Sequence, residues 1–201
     1  MEIEIREGSM SDLSEYARIG MQFQVHTALE LSLGDQGLGG FVLTERQVAA
    51  PYLKDYDTAG EGGPLRWSLD FDVSRWGLIA AHEAENRVGG VVIAFDTPGV
   101  MMLEGRRDLA VIWDIRVADA VRRQGVGSRL FRAAEAWAAA RGCRQIKVET
   151  QNINVPACHF YLRQGCMLGA INRFAYTDLP DEVQLLWYKD LIPAAGVSAE
   201  T

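Results

Sequence analysis

Apolar and polar residues alternate from Glu2 to Glu7, which predicts a strand. Ser9 and Asp12 then form a capping-box pattern. Leu13, Tyr16, Ala17 and Ile19 follow at helical spacing. Four glycines between Gly34 and Gly40 mark a flexible connection, and Asp57 to Pro64 reads as a glycine-rich loop. Thr44 with Gln47 repeats the capping box and predicts a short helix to Lys54. From Arg66 to Asp72 the period is two: Trp67, Leu69 and Phe71 face one way, Ser68, Asp70 and Asp72 the other, as in a strand. Leu78 to Ala84 and Val88 to Phe95 flank Glu85-Asn86-Arg87 and read as a hairpin.

Leu109 to Val117 is nearly continuous apolar sequence and predicts a central strand, interrupted by Asp114 and Arg116. Gly125 to Arg141 is the strongest helix, with Leu130, Ala134, Trp137 and Ala138 as its stripe and Gly142 at its end. Gln145 to Glu149 returns as a strand. Pro156 fits the first turn of a short helix entered through Asn154 or Val155 and closed by Gly165. Cys166 to Tyr176 and Val183 to Tyr188 are the last strands. The order implies a mixed α/β sheet with antiparallel hairpins first and a strand–helix–strand unit in the second half.

A length of 201 residues suits one domain, expected over residues 1–192 with a frayed, disordered tail over 193–201. Lys plus Arg number 20 against 27 for Asp plus Glu, a formal charge of −7. That balance argues against a nucleic-acid partner and suits a cationic one. Apolar runs are too short to span a bilayer, and the acidic amino terminus is no secretory signal. Cys143, Cys158 and Cys166 are odd in number and lack metal spacing, as do His26, His82 and His159. A cytoplasmic location without metal is expected.

Two constellations carry chemistry. Arg122-Arg123-Gln124-Gly125-Val126-Gly127-Ser128 follows the central strand and opens the best helix. Glycine lets backbone N–H groups approach a ligand, and the helix start with two arginines adds positive charge, as a pyrophosphate requires. An ordinary strand-to-helix turn fits the same residues. No Lys-Ser or Lys-Thr follows for a phosphate-loop NTPase, and the third glycine of a dinucleotide fingerprint is missing. The second constellation, Asn154-Val155-Pro156-Ala157-Cys158-His159-Phe160-Tyr161, reads equally as a capped helix with a buried tyrosine.

Together, Arg-x-x-Gly-x-Gly at 122–127 and Asn-x-x-Ala-x-x-x-Tyr at 154–161 resemble the GNAT superfamily of N-acetyltransferases. Asp114-Ile115, Glu149-Thr150-Gln151, Trp67 to Asp72 with Trp76, and Trp187-Tyr188 extend the resemblance to the streptothricin acetyltransferase branch. It implies a mostly antiparallel central sheet with flanking helices. The sheet would be splayed between its fourth and fifth strands, those matching Leu109 to Val117 and Gln145 to Glu149. It implies acetyl-CoA as donor, with the pantetheine arm along Ile115, Arg116 and Val117. The pyrophosphate would lie on Arg122, Arg123, Gln124, Gly125, Val126, Gly127 and Ser128. Asn154 would orient the pantetheine or a water, and Tyr161 would protonate the departing thiolate. An oxyanion donor is expected near Asp114 to Arg116.

Asp114 and Glu149 lie on the two strands flanking the splay and are the candidate carboxylates for receiving the amine and its proton. Asp114 could equally be the partner of Arg116. Asp70, Asp72, Trp67 and Trp76 are secondary candidates for lining an acceptor cleft. The expected reaction is acetylation of a small cationic amine such as streptothricin. Acetylation of a protein amino terminus or lysine and a non-catalytic acetyl-CoA-binding module are the alternatives. The apolar run Val183 to Trp187 would allow a homodimer.

Overall fold

The computed structural model describes residues 2–58 and 63–191. In chain order the elements are β1 (Ile3–Gly8), α1 (Leu13–Tyr16), β2 (Gln22–Leu33), β3 (Phe41–Asp55), α2 (Gly63–Asp70), β4 (Gly77–Glu83) and β5 (Asn86–Phe95). They continue as β6 (Leu109–Val117), α3 (Val126–Ala140), β7 (Gln145–Gln151), α4 (Val155–Arg163), β8 (Met167–Asn172) and β9 (Gln184–Asp190). The tail expected over 193–201 lies outside the described residues, as does part of the loop expected from Asp57 to Pro64.

Seven strands form one mixed sheet in the order β1-β4-β5-β6-β7-β9-β8, and β2 pairs with β3 in a separate ribbon. Pairing is antiparallel from β1 through β6. β7 runs parallel to β6, which requires a crossover, and α3 supplies it. This is the α/β architecture expected from the sequence.

Two compact units divide the chain. One holds residues up to 21, 57–148 and from 188 on; the other holds 22–56 and 149–187. In the first unit, Leu13 and Tyr16 of α1 join Trp76, Leu78, Val92, Ala94, Val100, Leu103 and Val111 in one buried cluster. Two glycines of the sheet admit large rings that a side chain would exclude. A Cβ on Gly90 would stand 2.8 Å from the Tyr16 ring, and one on Gly77 would stand 2.5 Å from the Trp137 ring. Leu130, Phe131, Ala134, Trp137 and Ala138 of α3 are buried, the stripe that its period predicts.

The strand expected from Cys166 to Tyr176 is shorter, Met167–Asn172, and two elements differ in kind from expectation. Thr44 to Lys54 is not a helix but part of β3, despite its capping-box residues. Pro51 would remove a helical hydrogen bond there. In the ribbon the register jumps from Val25↔Tyr52 to Thr27↔Gln47, so Pro51 falls in an irregular stretch that asks no ladder bond of it. Arg66 to Asp72 is not a strand; its residues to Asp70 form α2. Trp67 and Phe71 pack on the core cluster, while Leu69 is 80% exposed. A strand would have put Leu69 on their face; a helix places only i and i+4 together. The alternation was compatible with both periods. β2 carried no sequence expectation.

In the second unit Asn152 binds two segments. Its backbone exchanges bonds with Leu29 and Val183, and its side chain donates to the Leu29 carbonyl at 3.1 Å and accepts from the Val183 N–H at 2.8 Å. Trp187 donates to the Thr150 hydroxyl at 2.8 Å. Val183, Leu185 and Trp187 are buried, so the apolar run of the last strand is used within the chain.

Candidate active site

The β5–β6 register shifts between Val92↔Asp114 and Ile93↔Ile112, which leaves Trp113 as the extra residue of a bulge. Beyond the bulge the strand alternates regularly, so Asp114 and Arg116, two residues apart, share one buried face. Arg116 donates to Asp114 at 2.9–3.1 Å, to Asp57 at 2.7 Å and 3.0 Å, and to the Ile19 carbonyl at 2.8 Å. The Tyr16 hydroxyl donates to Asp114. Burial pushes the Asp114 carboxyl up, while the bonds from Arg116 and then Tyr16 hold it down. Burial also disfavours the Arg116 charge, yet Asp114 and Asp57 hold that proton above its ordinary range. The short contacts on both carboxylates favour the ionised pair. Arg116 is thus the partner that a carboxylate inside an apolar strand requires.

The β6–β7 ladder runs from Leu109↔Gln145 to Ile112↔Val148, and Ile115, Arg116 and Val117 lie beyond its last pair on β6. After β6, Arg122, Arg123, Gln124 and Gly125 are exposed. Gly125 is the cap residue of α3 at φ 82°, and no side chain caps that helix. Only glycine takes this conformation without strain; nothing crowds the place where a Cβ would be, so the angle alone selects it. Arg123 holds φ 62° without that freedom, a strained conformation for a residue with a Cβ. Arg122 donates to the Val117 carbonyl at 3.1 Å and pairs with Asp119 at 3.0 Å. The loop therefore offers a helix start with no side-chain cap and two exposed guanidinium groups, the chemistry that a pyrophosphate fits.

Glu149, Asn154 and Tyr161 belong to the second unit. Asn154 caps α4 by accepting from the Ala157 N–H at 3.2 Å, and Pro156 stands in the first turn. Tyr161 is 4% exposed and meets Phe160 edge-on with ring centroids 5.1 Å apart. Glu149 accepts from the Tyr176 hydroxyl at 2.6 Å and from the Gln184 amide at 2.8 Å. Gln151 donates to the Tyr176 oxygen at 2.8 Å and accepts from the Tyr56 hydroxyl. Asn154 is a further hydrogen-bond partner of Tyr56. Burial pushes both tyrosine hydroxyls up, with Glu149 adding to the effect, so both stay protonated donors.

Tyr56 and Tyr176 were absent from the sequence candidates. Each is a lone tyrosine at the end of a segment, and no spacing relates them to Glu149. Trp67 packs on the core, Trp76 donates to Thr97 at 2.9 Å, Asp70 lies 3.4 Å from Arg66, and Asp72 caps a turn at Ser74. His159 is exposed beside Glu45 at 3.3 Å. All three thiols are buried, and burial raises that of Cys143 to about 11. Among the described residues no cluster of His, Cys, Asp or Glu could hold a metal, and no helix is long and apolar enough to cross a membrane.

Residues 45–166 match the acetyltransferase (GNAT) family. The streptothricin acetyltransferase A of Bacillus subtilis (strain 168) is 30% identical over 157 residues, covering 75% of this chain and 80% of that protein. The streptothricin acetyltransferase of Escherichia coli is 31% identical over 169 residues, covering 83% and 84%. A Bacillus anthracis structure described as a streptothricin acetyltransferase, in complex with acetyl coenzyme A, superposes with a TM-score of 0.72. It is 28% identical and covers 94% of this chain and 99% of its own. The chain belongs to the GNAT acetyltransferase family.

Proposed function

We propose that this protein moves the acetyl group of acetyl-CoA to a primary amine of a small cationic acceptor of the streptothricin type. One observation carries the acceptor class: the likeness to streptothricin acetyltransferases extends over most of both chains. The donor is supported by the glycine-bearing start of α3, which suits a pyrophosphate, and by the acetyl-CoA bound in the similar structure.

Acetyl-CoA supplies an activated thioester carbonyl and a thiolate leaving group. In this reading Arg122 to Ser128 hold its pyrophosphate, and the edge of β6 at Ile115 to Val117 hydrogen-bonds its pantetheine. A backbone N–H at the Trp113 bulge stabilises charge on the thioester oxygen. Glu149 receives the acceptor's ammonium group and takes a proton from it through water, because only the neutral amine attacks. Tyr161 gives its proton to the leaving sulfur. Asn154 fixes the start of the helix that carries Tyr161. Asp114 orients β6 through Arg116.

The test is thiol release from acetyl-CoA with streptothricin, aminoglycosides, polyamines and peptides. Release with streptothricin and one added acetyl mass on the drug is expected. Release with another amine alone would discard the acceptor and keep the chemistry.

A further inference from the structure

We propose that Tyr176, backed by Gln151 and Tyr56, is a positioning residue that aims Glu149 at the acceptor's ammonium group. The proposal rests on the acetyl-transfer reading above. Three hydrogen bonds run one way along this chain. Tyr56 donates to the Gln151 oxygen, the Gln151 nitrogen donates to Tyr176, and Tyr176 donates to Glu149 Oε1. An amide side chain can face either way; Tyr176 gives its proton to the carboxylate, so its oxygen can only accept, and that turns the Gln151 nitrogen toward it. Each donation polarises the next, so the chain strengthens toward its end at the carboxylate.

Glu149 itself is half-buried and held by neutral donors. Gln184 occupies Oε2 at 2.8 Å, and the Gln151 nitrogen approaches Oε1 at 3.4 Å. A carboxylate offers roughly four acceptor sites, so both oxygens keep capacity. Among the described residues no Lys, Arg or His forms an ion pair with Glu149. The buried carboxylates Asp114 and Glu182 do have such partners, Arg116 and Lys54. A fixed carboxylate with neutral donors and no cation of its own is built to receive one. Among the described residues, the titratable groups that act on Tyr56 and Tyr176 are each other, Glu149, Cys158 of α4 and Glu182, which is closed on Lys54 at 2.5 Å.

Acetyl transfer to streptothricin is measured for the native protein, Tyr176→Phe, Gln184→Leu and Glu149→Gln, with kcat and the KM of each substrate read separately. Tyr176→Phe should raise the streptothricin KM about tenfold and leave the acetyl-CoA KM in place. Gln184→Leu should act in the same direction. Glu149→Gln should raise that KM further. If Glu149→Gln behaves so while Tyr176→Phe keeps the native KM, the positioning role is overturned and acetyl transfer stands. If streptothricin is not acetylated but another amine of the panel is, the acceptor reading falls and the same comparison is made with that amine. A raised amine KM in Tyr176→Phe then supports the positioning role, and an unchanged one overturns it. Acetylation of no amine overturns both readings.

Discussion

Tyr161 is held in a short helix whose start is fixed twice, by the Asn154 cap and by Pro156. A phenol placed this rigidly suits proton donation to a leaving thiolate. Tyr161→Phe should therefore lower kcat by about 100-fold or more, with acetyl-CoA binding by calorimetry unchanged. Native turnover in a folded variant would remove Tyr161 from the reaction. His82 shows a different residue-level effect. It is buried and accepts from Arg6 at 3.1 Å. Burial, then Arg6 and Arg87, hold its pKa below the ordinary value. The unfolded imidazole takes a proton near pH ~6.5, where the native one still resists. The unfolded state then binds more protons, so stability falls as pH drops through ~6.5. The loss levels off once the native imidazole also protonates. Denaturation midpoints across that window should fall in the native protein and stay flatter in His82→Gln.

Elements were legible where one period dominated. Leu109 to Val117 and α3 each had one dominant pattern, and both appear where expected. The α4 start was legible because its cap and its proline act locally. Residues 44–54 and 66–72 misled because each local signal fits two structures, and long-range pairing or packing chose between them. The ribbon partner β2 decided the first, and the core under Trp67 and Phe71 decided the second. The start of α3 after Gly125 could be read from sequence because its residues are contiguous. The Tyr56–Gln151–Tyr176–Glu149 chain could not, since its members come together only on folding. Asn152 belongs to the same class. Its side chain satisfies a carbonyl of β2 and the Val183 N–H. Asn152→Ala leaves both without that partner and should destabilise the protein by about 3 kcal/mol, read from chemical denaturation. A loss below ~0.5 kcal/mol would show that water replaces both bonds.

Over the whole molecule, a formal charge of −7 favours approach of a polycationic acceptor and opposes approach of polyphosphate donors. Raising ionic strength from about 0.01 M to about 0.15 M shortens the screening length from about 30 Å to about 8 Å. The streptothricin KM should rise over that range, and the acetyl-CoA KM should hold or fall. Equal rises would place recognition in short contacts rather than in the overall field. The charge was plain in the sequence; which acidic groups are already paired, such as Asp114 and Glu182, was not.

The burial of Cys143, Cys158 and Cys166 has a practical consequence. An aromatic disulfide reagent added to the native enzyme will colour rapidly only with the coenzyme's freed sulfhydryl, so turnover can be followed continuously over a slow protein background. Without donor or acceptor, the slow colour that does develop becomes a clock for how often the folded chain opens.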